Sequence, residues 1–284
     1  MDPRSFGTHD GSFHADEVTA CSLLLLFGLI DRDKIIRSRD PLRLSFCDYV
    51  CDVGGIYDPK KRRFDHHQVD YQGPLSSAGM ILLHLKAEGV IDTHFYETLN
   101  NLLILGVDAH DNGRSSSELG ITTFSHVVSN FIPVEYEAPK EELDEAFFKA
   151  LDFVVGHLER VHRRFVYSQQ CGGTVRRVMA ESGNALIFEK PIPWMDMFFE
   201  LGGDLHPAKF VIMPAGNHWK LRGIPPNCNE KMKVRRPLPE KWAGLHEEAL
   251  RQVSGIPGAI FCHKGRFISI WETKEDALMA LHKV

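Results

Sequence analysis

Histidine and aspartate fall into four short blocks within the first 109 residues, and each block follows or lies near a short apolar stretch. The blocks are His9-Asp10-Gly11-Ser12-Phe13-His14-Ala15-Asp16-Glu17, Cys51-Asp52-Val53-Gly54, Asp65-His66-His67 and Gly106-Val107-Asp108-Ala109. In open α/β sheets, ligand sites gather beyond the carboxyl ends of the strands. Four such ends would bring His9, His14, Asp16, Asp52, His66 and Asp108 to one point, enough for a pair of metal ions. Taken singly, the same residues say little. Asp52 after a strand is a common turn residue, and an isolated Asp-His-His is commonplace in a chain with 15 histidines. The order and company of the four blocks carry the inference.

The elements around the blocks read as alternating strands and helices. Residues 1–8 predict a first strand, residues 16–30 a helix packed on a sheet, and residues 34–38 and 47–53 two parallel strands. Residues 76–87 and 95–105 predict helices, the second running into Val107-Asp108. The stretch 131–140, with Pro133 and Pro139, reads as a linker. Leu143, Phe147, Leu151, Val154, Leu158, Val161 and Phe165 then recur at helical spacing and predict one long amphipathic helix over 141–170. From Cys171 onward, apolar runs alternate with Gly/Pro turns as in a second α/β domain. The expected division is therefore 1–130 for the metal domain, 131–170 for linker and connecting helix, and 171–284 for a C-terminal substrate-binding domain.

Composition narrows the classes. A chain of 284 residues with 43% hydrophobic content can bury a substantial core. The net charge of −5 argues against a coat-like binder of nucleic acid, while leaving room for a local basic cleft. No apolar run is long enough to span a bilayer, and charged residues occupy the place of a signal sequence. Six scattered cysteines form no C-x-x-C pair; Cys47 and Cys51 share strand parity and read as small buried apolar groups, and the expected setting is a reducing cytoplasm.

The four blocks resemble the motifs of the DHH phosphoesterase superfamily, named after its Asp-His-His triplet. The wording THDGSFHADE, DVGGIYDPKKRRFDHHQ and GVDAHDNG is similar to one branch, the melanocyte-proliferating-gene exonuclease family of metal-dependent protein hydrolases. Further similarity in PLPEKWAGL, SGIPGAIFCHKGRFI and TKEDAL extends the resemblance over nearly the whole chain. The resemblance implies an α/β fold in which a DHH-like parallel-sheet metal domain is joined by a long helix to a smaller α/β domain. It also implies a metal-dependent phosphodiester hydrolase, a 3′→5′ exonuclease acting on RNA through hydroxide activated by two metals. Two rivals remain open: a phosphoesterase of small substrates such as oligonucleotides, cyclic dinucleotides or pyrophosphate-like compounds, and a non-catalytic metal-stabilised nucleic-acid-binding protein.

Carried over by position, one ion would be held by His9, His14 and Asp52, and the other by Asp16, Asp52, His66 and Asp108, with Asp52 bridging. The spacing His9-x4-His14-x-Asp16 departs from the superfamily's His-x3-Asp-x-Asp in the way the narrower branch does. Three carboxylates against two dications, and three imidazoles among the ligands, favour Mn2+, with Mg2+, Zn2+, Co2+ and Fe2+ as alternatives. Asp10, where the family usually has Asn, would add negative charge if it faced the ions. The resemblance gives His67 to the substrate phosphate, and Asp65 is a candidate acceptor that fixes a neighbouring imidazole. Asp111 and Asn112 could orient the same corner. Farther along, the basic run 231–236 and the corner His263, Lys264 and Arg266 are candidates to grip RNA or a short oligonucleotide, with Trp219 or Trp271 as stacking platforms.

Overall fold

A computed structural model describes residues 2–115 and 118–284. The chain parts into two compact units, Met1–Arg163 and Arg164–Val284. The first contains strands β1 (Asp2–Thr8), β2 (Ile35–Arg37), β3 (Cys47–Cys51), β4 (Tyr57–Asp58) and β5 (Arg63–Phe64). Its helices are α1 (Ala15–Leu26), α2 (Pro41–Ser45), α3 (Ser77–Ala87), α4 (Thr93–Leu99), α5 (Leu105–Asp111) and α6 (Phe124–Ser129), followed by the first part of α7 (Lys140–Glu181). The sheet order is β2-β1-β3-β5-β4, parallel except for β4 against β5.

A parallel sheet is covered on both faces, so its strands lack polar alternation. Ser5, Phe6, Gly7 and Thr8 are accordingly all buried, and Phe6 pairs with Ile35 on one side and Tyr49 on the other. Gly7 is where α2 presses closest. A Cβ there would lie 2.8 Å from Leu44 Cδ2 and 3.0 Å from Cys47 Sγ. Helix α1 packs against α3, α5 and α6. Between α4 and α5 the helix passes through a π turn, Asn100–Ile104, so the two are one continuous rod with a local bulge.

Helix α7 is longer than its predicted span of 141–170, running 42 residues. The buried stripe continues beyond Gln170 in Cys171, Val175 and Val178. Gly172 and Gly173 would each weaken an exposed helix by about 1 kcal/mol relative to Ala. Gly172 instead admits a close neighbour, since a Cβ there would lie 3.0 Å from Met197 Cε.

The second unit takes the end of α7 and adds β6 (Ala185–Ile187), α8 (Met195–Glu200), β7 (Phe210–Ala215) and β8 (His218–Gly223). It closes with α9 (Glu247–Ser254), β9 (Ala259–Cys262), β10 (Ile268–Trp271) and α10 (Lys274–Leu281). The sheet order is β6-β7-β8-β10-β9, with only β6 and β7 parallel. Alternation along β7 assigns the two faces. Phe210 and Ile212 face a core with Leu221, Trp242, Leu250 and Trp271, whereas Val211 and Met213 face Val175, Val178, Trp194 and Phe198. Among the described residues no helix is long and apolar enough to cross a membrane.

Candidate metal centre

Three of the four histidine and aspartate blocks sit where strand ends put them. His9 follows β1, Asp52 follows β3, and Asp65-His66-His67 follow β5. These three strands are adjacent and parallel, so their carboxyl ends deliver side chains to one edge of the sheet. His14 and Asp16 arrive from the loop and first turn of α1. Asp52 adopts a left-handed backbone with φ +60°, its N–H held by the Phe64 carbonyl. A non-glycine residue in that region costs roughly 1–2 kcal/mol, and such strain concentrates at functional positions.

Asp52 is the hub. Its Oδ2 lies 3.2 Å from His9 Nε2, and its Oδ1 lies 3.3 Å from His66 Nε2 and 3.4 Å from His67 Nδ1. The two carboxylate oxygens therefore address two different sets of imidazoles. On the first side, Glu17 Oε1 stands 3.2 Å from His9 Nε2 while the same carboxylate accepts the His14 N–H at 2.8 Å. On the second, His66 Nε2 is 2.9 Å from Asp111 Oδ2 and 3.9 Å from Asp16 Oδ2. Three groups bring candidate ligand atoms within 4.8 Å of one another: His9, His14, Glu17 and Asp52; Asp52, His66 and His67; and His14, Asp16 and Asp111.

The donor set fits cations. Asp16 Oδ1, Asp52 Oδ1 and His66 Nε2 are buried without a well-directed hydrogen bond. A polar atom removed from water and left so is costly. Imidazoles with carboxylates match Mn2+, Zn2+ or Fe2+, and the carboxylates alone would serve Mg2+.

Protonation follows the same geometry. Burial alone would lower the His9 pKa, but hydrogen bonds to Asp52 and Glu17 outweigh it and lift the imidazole to about 10. His66, opposed in the same way by burial, is lifted to about 10 by Asp111 and Asp52. Burial and the neighbouring Asp52 charge push Asp16 well up. Asp52 itself stays below the usual carboxylate range, because its ion pairs with His66 and His9 overcome its burial. Protons thus hold positions that divalent ions would take.

Asp108 stands outside these groups. Its Oδ1 accepts from Ser76 N (3.0 Å), Ser76 Oγ (2.7 Å) and Gly79 N (3.1 Å) at the start of α3. It lies on a helix rather than beyond a strand, and the place expected for it beside His66 is taken by Asp111. Gly79 makes room for the carboxylate, since a Cβ there would come within 2.2 Å of Asp108 Oδ2. Asp10 turns to Lys140 at 3.1 Å and Arg39 at 3.8 Å, not to the ligand cluster. His67 is 62% exposed in its side chain and lines a cleft of about 630 Å3 with His9, His14, Arg39 and Asp52. Asp65 is buried, and its Oδ1 is 2.9 Å from His67 Nδ1. The structure also brings Glu17 and Asp111, which sequence reading did not offer as ligands, into these groups. Their signals were spacing: Glu17 lies three after His14 at a helix start, and Asp111 three after Asp108 on one helix.

The family model described as MYG1 exonuclease, an uncharacterised protein family, matches residues 5–283. The chain belongs to the MYG1 family. It is 53% identical to a MYG1 protein of Chlamydia pneumoniae over 98% of this chain and 96% of that one. It is 35% identical to the MYG1 exonuclease of Bos taurus over 98% of this chain and 84% of that one. Among solved structures it is similar to RecJ from Thermus thermophilus in complex with Mn2+, at 14% identity and a TM-score of 0.28. The match covers 98% of this chain, which spans about half (52%) of the RecJ chain, and no residue is transferred from it.

In the second unit of this MYG1 family member, the sequence candidates scatter. His263, Lys264 and Arg266 form the turn between β9 and β10, where Gly265 N donates to His263 Nδ1 at 2.9 Å. Trp271 is fully buried beside Trp242, and Trp219 packs against the same core, so neither is an open stacking platform. The basic run is largely occupied. Arg235 donates to the carbonyls of Gly203, His206, Ala208 and Pro225, Lys231 pairs with Asp196, and Lys233 with Glu230. Two cations without a carboxylate partner among the described residues are on β8. Lys220 and Arg222 share a face with Val211, Met213, Phe261, Ile268 and Ile270 by strand register. Arg222 Nε is buried with no hydrogen-bond partner.

Proposed function

We propose that this protein is a metal-dependent phosphodiester hydrolase, a 3′→5′ exonuclease on RNA that works with two divalent ions, Mn2+ first among them. The observation that carries the reading is the split of Asp52, whose two oxygens address separate histidine sets from a strained backbone position. The exonuclease name of the Bos taurus relative supports the reaction class. One ion would be held by His9, His14 and Asp52, with Glu17 beside His9 Nε2 on the same side. The second would be held by Asp16, Asp52, His66 and Asp111. Asp108, proposed from sequence as a ligand, can contribute only through Oδ2, because Oδ1 is committed to α3.

When bound, such a pair of ions lowers the pKa of water and neutralises charge on phosphate oxygens. The chain supplies the rest. With Nδ1 donating to Asp65, the imidazolium form of His67 would offer its second N–H, at Nε2, to a phosphate oxygen over the cleft. The His9–His14 loop is held from behind by Arg37, which donates to the Gly11 carbonyl and to Asp144 of α7. Precise placement of reacting groups provides much of the rate in such sites. Lys220, Arg222 and the corner of His263, Lys264 and Arg266 would hold the phosphate chain, with Phe261 as an apolar surface for a base.

The test is incubation of the Mn2+-loaded full chain with end-labelled single-stranded RNA, a dinucleotide, pyrophosphate and a generic diester. Stepwise release of mononucleotides from the 3′ end is expected. Turnover of only the short substrates sinks the exonuclease reading in favour of a small-substrate phosphoesterase. Binding without turnover sinks the enzyme.

A further inference from the structure

The cleft at the ligand cluster does not end at its ligands. Arg39, Val53 and Gly54 line both it and a second cavity of about 480 Å3. The two differ in chemistry. The first is walled by imidazoles and carboxylates, the second by Leu44, Val50, Val53 and Ile56. Leu44 and Val50 are buried members of a small core with Cys47, against which the half-buried Val53 packs. Ile56 is 52% exposed, an apolar side chain held beside a polar site.

Two cations border the second cavity, and they are not equivalent. The Arg63 guanidinium donates to the carbonyls of Cys47, Asp48, Lys61 and Arg62, so its hydrogens are consumed by the scaffold. The Arg39 side chain is 66% exposed, with Asp10 at 3.8 Å as its ion-pair partner. It stands on the margin the two cavities share.

Resting on the hydrolase reading above, we infer that the second cavity is the subsite for the nucleoside joined to the phosphate under attack. Arg39 meets that phosphate from the shared margin, and the aliphatic walls receive the base. Three observations converge on this occupant. The cavity shares Arg39, Val53 and Gly54 with the ligand cleft. Its volume lies in the range of about 300–1,000 Å3 usual for small-molecule sites, with an apolar lining and few polar groups. The exposed charge on its lining, that of Arg39, is positive and placed at the end nearest the phosphate. Ser45 at the rim gives a polar edge, its hydroxyl oxygen, that a ribose or base can use and an alkyl chain cannot.

Equilibrium binding of adenosine 5′-monophosphate, inorganic phosphate and octyl phosphate to the full-length, Ca2+-loaded protein tests the proposal without turnover. The nucleotide is expected to bind roughly tenfold tighter than inorganic phosphate, the scale of one good apolar contact surface. Ile56→Glu is expected to abolish that preference while leaving inorganic phosphate unaffected, and Ile56→Leu to keep it. Ile56 is half-exposed, so a melting curve matching that of the parent protein is the check on folding. A preference that survives Ile56→Glu overturns the subsite, as does octyl phosphate binding as tightly as the nucleotide. A nucleotide preference lost on Ile56→Glu, in a protein that cleaves no diester with Mn2+, supports the subsite and removes the hydrolase reading instead.

Discussion

In residues 2–163 the buried carboxylates of Asp16 and Asp52 face imidazoles and each other, whereas in residues 164–284 the Arg235 guanidinium faces four main-chain carbonyls. Both units remove charge from water, and burying charge is tolerated only when it is compensated. Arg235 is compensated by its own fold and has nothing left to offer a ligand. The Asp52 cluster is compensated chiefly by protons on His9 and His66, which a divalent ion can replace. A charge count along the sequence sees the two cases as alike, and their partners separate them. Lys220 and Arg222 fall between, half-buried and with no carboxylate, which is why the proposed phosphate grip rests on them.

The largest expected effect is at the hub. Asp52→Asn should lose both ions, and with them turnover, because neutralising it weakens two coordination spheres at once. Elemental analysis of the purified variant decides this, and a protein still carrying two ions per chain would sink the assignment. The comparison with Arg235 sharpens it: Arg235→Ala should lower thermal stability by several degrees and leave ion content intact.

His67→Ala comes next. It should retain both ions and slow turnover by about 10²–10³-fold, the usual weight of one donor aimed at developing charge. Asp65→Asn should cost about 10–100-fold by loosening the ring. Equal ion loss in His67→Ala would move His67 into the coordination sphere. Asp111→Asn and Asp108→Ala form a matched pair. The first is expected to lose one ion, the second to destabilise the ion-free protein by roughly 1–3 kcal/mol through the orphaned donors of Ser76 and Gly79. Melting in chelator and ion content together separate them.

Lys220→Ala and Arg222→Ala should leave the ions in place and raise KM for RNA by about tenfold, with the salt slope of binding reduced by about one for each phosphate no longer neutralised. An unchanged slope in both variants would remove this sheet face from the grip.

The smallest effect is a proton count. His9 and His66, ordinarily near 6.5, reach about 10 in the ion-free protein. The stabilisation from these pairs is therefore complete below about pH 6.5 and is lost as pH rises through about 10. Ions compete with the same protons, so apparent affinity should climb with pH toward 10, and loading at pH 8 should acidify a weakly buffered solution. Loading at pH 8 with no proton release would exclude these imidazoles as ligands.

Much of the first unit was legible because strand ends are marked twice, by an apolar run and by the polar residue that follows. His9, Asp52 and His66 were found that way, and β1, β3, α1 and α3 lie close to their expected spans. Asp111 was offered only as an orienting group, because the fourth block put Asp108 forward as the ligand, and on a helix a carboxylate three residues on can take the place of the first. Glu17 was hidden by its neighbour Asp16, since acidic pairs at helix starts are common for electrostatic reasons alone. In the second unit the run 231–236 drew attention by density of charge, yet its partners other than Glu230 lie 9–35 residues away and are invisible in a linear reading. Lys220 and Arg222 carried a quieter signal, the alternation with Trp219 and Leu221 that puts two cations on one face of a strand.

The π turn at Asn100–Ile104 is what a single inserted residue looks like once a helix has absorbed it. Each residue of an α-helix turns the chain by about 100°. Loss of one codon within this stretch would preserve a good helix and still rotate everything after it by about that angle. Asp108 would swing off the start of α3 and Asp111 away from His66, though neither residue had been altered. In the inheritance of this fold, the length of one short segment is therefore under the same constraint as the identity of a ligand.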